Sequence, residues 1–287
     1  MPNFQPASIL CPLDLSEASA GVLRWAALLA TAYHATLRIL HAEWIDYPRY
    51  FLPSQEAELA AVSVRARSAA VAALGSLVAE HLPARIPHQV AVVEGHPIET
   101  ILEDARLHNP GLIVMGSHGR SGLARLRMGS VAENVVRLTT VPTLVVRAPQ
   151  SGQAPATITR ILCPVAMDEQ PDPGMAVAAG LAATTGASLV ALHVEEPGVS
   201  VSVHRDRLCA FVPDDVRTRC HVAEMVRQGN AAEQILLAAR ENQADLIVLA
   251  ARHRRLLDFS VIGSTTEAVM RHADAAVFVL PASSSRE

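Results

Sequence analysis

The sequence predicts an α/β protein of two tandem domains, each an open parallel sheet of five strands flanked by helices. Three observations predict it. Short aliphatic runs alternate with helical patterns along the chain, and such alternation belongs to parallel sheets with right-handed crossovers and helices on both faces. The run Ile9-Leu10-Cys11-Pro12-Leu13 recurs as Ile161-Leu162-Cys163-Pro164-Val165, 152 residues further on, so the unit is duplicated. The composition is 50% hydrophobic but only 3% aromatic, which suits buried aliphatic strands covered by Ala-rich helices. A chain of 287 residues has room for two such cores.

In the first copy, Ser8 to Leu13 reads as a strand, and Ser16 as the N-cap of a helix running through Leu23, Trp25, Ala26 and Leu29. Leu37 to Ala42 is the second strand. A loop from Ile45 to Pro53 leads into an Ala-rich helix from Ser54 to His81. Val90 to Val93 is the third strand, and Pro97 stands at the first turn of a helix reaching His108. Leu112 to Met115, Ser130 to Leu138 and Thr143 to Arg147 complete the unit as strand, helix and strand.

The later matches between copies have a smaller offset. Leu112-Ile113-Val114 returns as Leu246-Ile247-Val248, 134 residues on, and Gly95 with Glu99 and Ile101 returns as Gly229 with Glu233 and Ile235. The second copy has therefore lost 18 residues (152 against 134) between its second strand and third helix. The segment Ala148 to Pro155, rich in Pro, Gly and Gln, reads as the linker. The expected domains are 1–150 and 151–287.

A formal charge of -4 argues against a dedicated nucleic-acid binder, which carries a basic face. All 24 basic residues are Arg, so mechanisms that need a lysine, a Schiff base or a Walker A loop among them, are excluded. Cys11, Cys163, Cys209 and Cys220 show neither a CxxC nor a zinc spacing, and Cys11 and Cys163 fall in apolar strands; a reducing, cytoplasmic compartment is expected. The N-terminus lacks a leader pattern, and no apolar run approaches the roughly 18 residues that span a bilayer, so no membrane association is expected.

The chemistry concentrates in Leu112 to Arg137. Gly116, two residues, Gly119, nine residues and then Gly129-Ser130 describe a strand end, a long loop and a helix start. A helix start presents unpaired N–H groups and the positive end of the macrodipole, which favour an anion. His118, Arg120, Arg125 and Arg127 are candidates to neutralise phosphate, although Arg125 and Arg127 read first as a solvated loop face. Asp14, after the first strand, is placed to accept ribose hydroxyls or reach a phosphate-bound cation, or simply to cap its own turn. Ala42 and Met115 are placed to wall an adenine pocket. His41 and His193 recur at strand ends in both copies, where a structural hydrogen bond is the first expectation.

These residues resemble the UspA family of universal stress proteins over nearly the whole chain. The most specific element is Gly116-x2-Gly119-x9-Gly129-Ser130, similar to that family's ATP-binding signature. The resemblance implies a Rossmann-like, adenine nucleotide alpha hydrolase-like fold, and ATP, with Mg2+ reached indirectly through Asp14, as ligand. It places the ATP contacts on Pro12, Leu13, Asp14, Ala42, Met115, Gly116, His118, Gly119, Gly129, Ser130, Val131 and Ala132. It also implies dimerisation through the fifth strand, which the two copies of one chain can satisfy internally as a pseudo-dimer; a homodimer of chains is the other assembly it allows.

The second copy departs from this pattern. Asp14 becomes Ala166, Gly116 becomes Ala250 and Gly119 becomes His253, while Gly263-Ser264 keeps its place. The expectation is an asymmetric protein with ATP in the first copy only, and with Arg252-His253-Arg254-Arg255 as a solvated basic loop. No catalytic residue is assigned, because no nucleophile–base motif is present, and a nucleotide-dependent regulator of the stress response is expected ahead of a fast enzyme. The alternatives are a scaffold that binds no nucleotide and a slow ATP hydrolase or phosphotransferase.

Overall fold

The computed structural model describes residues 4–44, 56–117, 128–147, 157–167, 172–195, 201–251 and 262–281. In the first copy the elements are β1 (Ser8–Pro12), α1 (Ser19–Tyr33), β2 (Thr36–Glu43), α2 (Glu56–His81), β3 (His88–Glu94), α3 (Pro97–His108), β4 (Leu112–Gly116), α4 (Ser130–Leu138) and β5 (Thr143–Val146). The second copy follows with β6 (Arg160–Pro164), α5 (Pro173–Thr185), β7 (Ser188–Glu195), α6 (Val201–Phe211), α7 (Asp214–Arg219), β8 (Val222–Gln228), α8 (Ala231–Glu241), β9 (Leu246–Ala250), α9 (Ser264–His272) and β10 (Ala276–Leu280). The shortening falls where α6 and α7, of 11 and 6 residues, stand in place of the 26-residue α2, and this helical difference accounts for 9 of the 18 residues.

The strands form one sheet in the order β3-β2-β1-β4-β5-β10-β9-β6-β7-β8. Within each copy every pairing is parallel, and the copies meet through β5 and β10, which run antiparallel with Val145 opposite Val277 and Leu144 opposite Phe278. The fifth-strand pairing implied by the resemblance is therefore made within the chain. Arg147 Nη1 donates to the Ala273 carbonyl at 2.9 Å, and Arg271 reaches Glu133 at 3.2 Å across the same seam.

Side chains alternate across each strand, so a fully buried strand feeds two layers. Ile9, Cys11 and Leu13 join α1, α2, α5, α6 and α7 in one layer, and Leu10 joins Ile113, Met115 and α3, α4, α8 and α9 in the other. Both layers run through both copies. Burial pushes the thiols of Cys11 and Cys163 well up from the ordinary value, so they behave as small apolar groups.

Local signals in the sequence account for most helix ends. Pro97 opens α3, and Asn109 closes it in the left-handed region with φ 44°. Gly95 and Gly229 precede α3 and α8 at φ 152° and 126°, which explains why glycine occupies both repeats of that turn. The start of α1 differs from expectation. The helix begins at Ser19, not after Ser16, because Asp14 gathers Ser16 and Ser19 into an intervening turn. The linker Ala148 to Pro155, the loop Ile45 to Pro53 and the basic run Arg252 to Arg255 lie outside the described residues.

The expectation about apolar length is corrected for α2. Its alanines and valines make Ala60–His81, 22 residues of hydropathy 1.3, long and apolar enough to cross a membrane by length and composition. Ala70, Leu74 and Val78 pack on the protein at helical spacing, while Val64 and Val71 are exposed at 69% and 50%.

One buried contact separates the copies. Arg38 on β2 grips Asp104 on α3 in a two-pronged ion pair, Nε to Oδ1 and Nη2 to Oδ2 both at 2.7 Å. The second copy has Val190 and Ala238 at these positions, both packed in the apolar layer. Replacing one partner strands the other charge, whereas replacing both need cost little. Asp104→Ala is therefore expected to lose about 3 kcal/mol in urea denaturation, and Arg38→Val with Asp104→Ala together to lie within about 1 kcal/mol of the parent.

Candidate functional site

In each copy the chain winds outward through its first three strands, then returns to place the fourth beside the first. The switch lies between β1 and β4 in the first copy and between β6 and β9 in the second. Loops leaving two such strands diverge to opposite faces and leave a crevice at the carboxyl edge. Leu10 is opposite Ile113, so three residues further on Leu13, just past β1, and Gly116, the last residue of β4, lie at one level.

The crevice of the first copy is held from three sides. Leu13 N–H donates to the Leu40 carbonyl at 2.8 Å, and the His41 ring lies with Nδ1 2.7 Å from the Leu13 carbonyl. Since a carbonyl only accepts, Nδ1 carries the proton. His41, 3% exposed, thus clamps the loop after β1 to the end of β2, the structural role expected of it. His193 does the same in the second copy, Nδ1 to the Val165 carbonyl at 2.8 Å.

Asp14 is organised by its own loop. Its Oδ1 accepts from Ser16 N at 3.1 Å, Ser16 Oγ at 2.7 Å and Ser19 Oγ at 3.0 Å. Three donors on one oxygen fix the carboxylate at the mouth of β1. The two serines were not among the expected site residues; the spacing Asp14, Ser16, Ser19 is the signal that would have found them.

On the other side, Ser117 N–H donates to the Val146 carbonyl at 2.8 Å, and the Ser117 carbonyl accepts from Gly129 N at 2.7 Å. This stitch brings the start of α4 back to the end of β4; the ten residues between them, 118–127, lie outside the described residues. Gly129 is the N-cap at φ -70°, ψ 145°, with no side-chain cap on the helix behind it. Any residue can adopt those angles, so the backbone conformation does not require glycine here. Ser130 is exposed and Val131 half-buried, so the first turn of α4 faces outward.

The twelve expected contacts therefore divide. Pro12, Leu13, Asp14, Gly116, Gly129, Ser130 and Val131 border the carboxyl edge at β1, β4 and the start of α4, and Ala42, half-buried, ends β2 next to β1. Met115 and Ala132 are only 4% and 2% exposed and pack together in the layer beneath α4. They support the floor of the crevice from below; what Ala132 can offer a ligand is its backbone. His118 and Gly119 lie outside the described residues, as do Arg120, Arg125 and Arg127.

The second crevice is built on the same strands but closed differently. Ala251 N–H reaches the Leu280 carbonyl at 2.8 Å, repeating the Ser117 contact. The helix after β6 starts late, at Pro173, and is capped by Asp172, whose Oδ1 accepts from Met175 N at 2.9 Å. A carboxylate has thus left the mouth of the strand, where Ala166 stands, for a helix cap. The start of α5 also lies against the position of Gly116's counterpart: a Cβ on Gly174 would come within 3.5 Å of the Ala250 methyl.

A separate cleft of about 480 Å³ is lined by Trp25, Arg147, Leu236, Arg240 and Asp245. It lies at the amino ends of β9 and β10, and none of the twelve expected contacts lines it. It thus sits at the opposite edge of the sheet from the crevice at the switch point.

The fold is a doubly wound α/β pair with a helix start that has no side-chain cap following the fourth strand of each copy. A family model, the universal stress protein family, matches residues 7–147 and 217–281, and the chain belongs to that family. A universal stress protein of Methanocaldococcus jannaschii is 44% identical over 59 residues, 21% of this chain and 35% of that protein. The match spans about a third of that relative's length. The crystal structure of a universal stress protein from Archaeoglobus fulgidus covers 99% of this chain and 100% of its own, with 20% identity and a TM-score of 0.71, so its fold is shared from end to end. A universal stress protein solved in complex with cAMP is 26% identical over 50% of this chain and 98% of its own, with a TM-score of 0.32.

Proposed function

We propose that the first copy binds ATP, with Mg2+ accompanying its phosphates, and that the chain is a cytoplasmic regulator of the stress response whose output is a change of shape or partner. The observation that carries this reading is the juxtaposition at the β1–β4 switch point. Asp14, held by three donors, follows β1, and an α4 start with no side-chain cap is stitched to the end of the adjacent β4, so a carboxylate for a sugar or a hydrated cation and N–H groups for phosphate share one carboxyl edge. The second copy keeps Gly263-Ser264 but has lost the carboxylate, and it serves as the structural partner through β10.

Calorimetric titration with Mg-ATP is expected to show one site per chain. At about 100 times the dissociation constant the ligand adds about 2.7 kcal/mol to stability, and Tm should rise on the order of 5 °C. Two equal sites would overturn the asymmetry. No heat and no shift in Tm would overturn the nucleotide reading in favour of a scaffold. Preference for cAMP over ATP in a parallel titration would reassign the ligand, and ATP turnover above about one per second would make the protein an enzyme.

A further inference from the structure

We propose that the second copy carries a divalent transition-metal site, of the kind that takes Zn(II), formed by His193, Glu195 and His204. His193 and Glu195 end β7, and His204 reaches them from α6. The ligand atoms of the three lie within 4.8 Å of one another. His193 Nε2 and His204 Nδ1 each stand 2.7 Å from the same oxygen, Glu195 Oε1, and the two rings stack at 5.9 Å.

Proton positions make this arrangement hard to satisfy with protein alone. Because Nδ1 of His193 donates to the Val165 carbonyl at 2.8 Å, a neutral ring turns the bare lone pair of Nε2 toward Glu195. Two acceptors then face each other at 2.7 Å. His204 adds a second difficulty: it is 5% exposed, and neither ring nitrogen has a hydrogen-bond partner, Nδ1 being near Oε1 but badly aimed. Unmatched polar atoms at that depth are costly.

A cation among the three lone-pair donors removes the clash at His193 Nε2 and gives His204 Nδ1 a partner. A backbone carbonyl orienting the far nitrogen is the usual support for a metal-bound histidine. Tetrahedral Zn(II), with ligands at about 2.0–2.1 Å, needs its donors roughly 3.3 Å apart, an opening of roughly 0.6 Å from the contacts here. The set of two imidazoles and one carboxylate suits Zn(II) and its neighbours over Mg2+ or Ca2+, and the Glu195 side chain, 18% exposed, leaves room for water as a fourth ligand. The first copy has only the beginning of such a site: His41 and Glu43 repeat His193 and Glu195, with Nε2 and Oε2 3.4 Å apart. Among the described residues the third donor exists in the second copy alone.

The test is titration of the chelator-stripped full chain with Zn(II), read by calorimetry, with Co(II) as a spectroscopic probe. One Zn(II) per chain is expected, together with the intense visible absorption of four-coordinate Co(II). His204→Ala and Glu195→Gln should each weaken Zn(II) at least about 100-fold and abolish that absorption, while Glu43→Gln, the first-copy counterpart, should leave both unchanged. Glu195→Gln preserves size and hydrogen bonding, so it decides the matter if His204→Ala fails to fold. Absence of Zn(II) binding tighter than about millimolar, or equal affinity in Glu195→Gln, would overturn the site and leave a protonated histidine between the two groups.

Discussion

Phe278→Ala is expected to destabilise the protein by about 4 kcal/mol, close to a thousandfold in the folding equilibrium. Phe278 is fully buried in β10, opposite Leu144 of β5, at the antiparallel junction of the copies. Its ring meets Phe4 edge to face at 5.3 Å, and Phe4 meets Tyr33 of α1 at 5.7 Å. Truncation thus opens a cavity that neither copy can close alone, because its walls belong to both. Thermal denaturation should show Tm lowered by roughly 7 °C, still in one transition, since the apolar layers run across the seam. Leu138→Ala, at a residue 50% exposed, should change stability by less than about 0.5 kcal/mol. A loss below about 1 kcal/mol for Phe278→Ala, or two separated transitions, would show that the copies are not joined in this way.

Asp14→Ala is expected to weaken ATP about 10- to 100-fold, the worth of a hydrogen bond to a charged group. The same change releases Ser16 and Ser19 from Oδ1, so some loss of Tm must accompany it. Asp14→Asn separates the effects. Asparagine keeps an oxygen for those donors and removes only the charge, so affinity should fall about tenfold with Tm nearly unchanged. If Asp14→Ala lowers Tm but leaves ATP affinity intact, the carboxylate is a turn cap and no ligand group. Restoring it in the second copy, by Ala166→Asp, should not create a second site, because Ala250 and His253 still stand where the first copy has Gly116 and Gly119.

Much of this was legible in residue order alone. Strands β1, β2, β4 and β5 were each placed within one residue at either end, since buried parallel strands are continuous aliphatic runs bounded by turn residues. The duplication, the 18-residue loss and the degeneracy at Ala166, Ala250 and His253 are properties of the sequence itself. So is the chain order that forces a switch point, and with it the edge of the sheet where a ligand belongs.

Tertiary structure decided what depends on residues distant along the chain. That Arg38 finds Asp104, and that Val190 and Ala238 replace them as a pair, emerges only when β2 and α3 are packed together. Asp14 reads in sequence as a ligand group or a cap; three donors show it held by its own turn whatever else it contacts. His204 carried no pattern at all, because it meets His193 and Glu195 only after α6 folds back on β7. Periodicity and turn chemistry are local and survive in sequence. The pairing of buried charges and the convergence of metal-ligand atoms are set by packing in three dimensions, which the order of residues does not display.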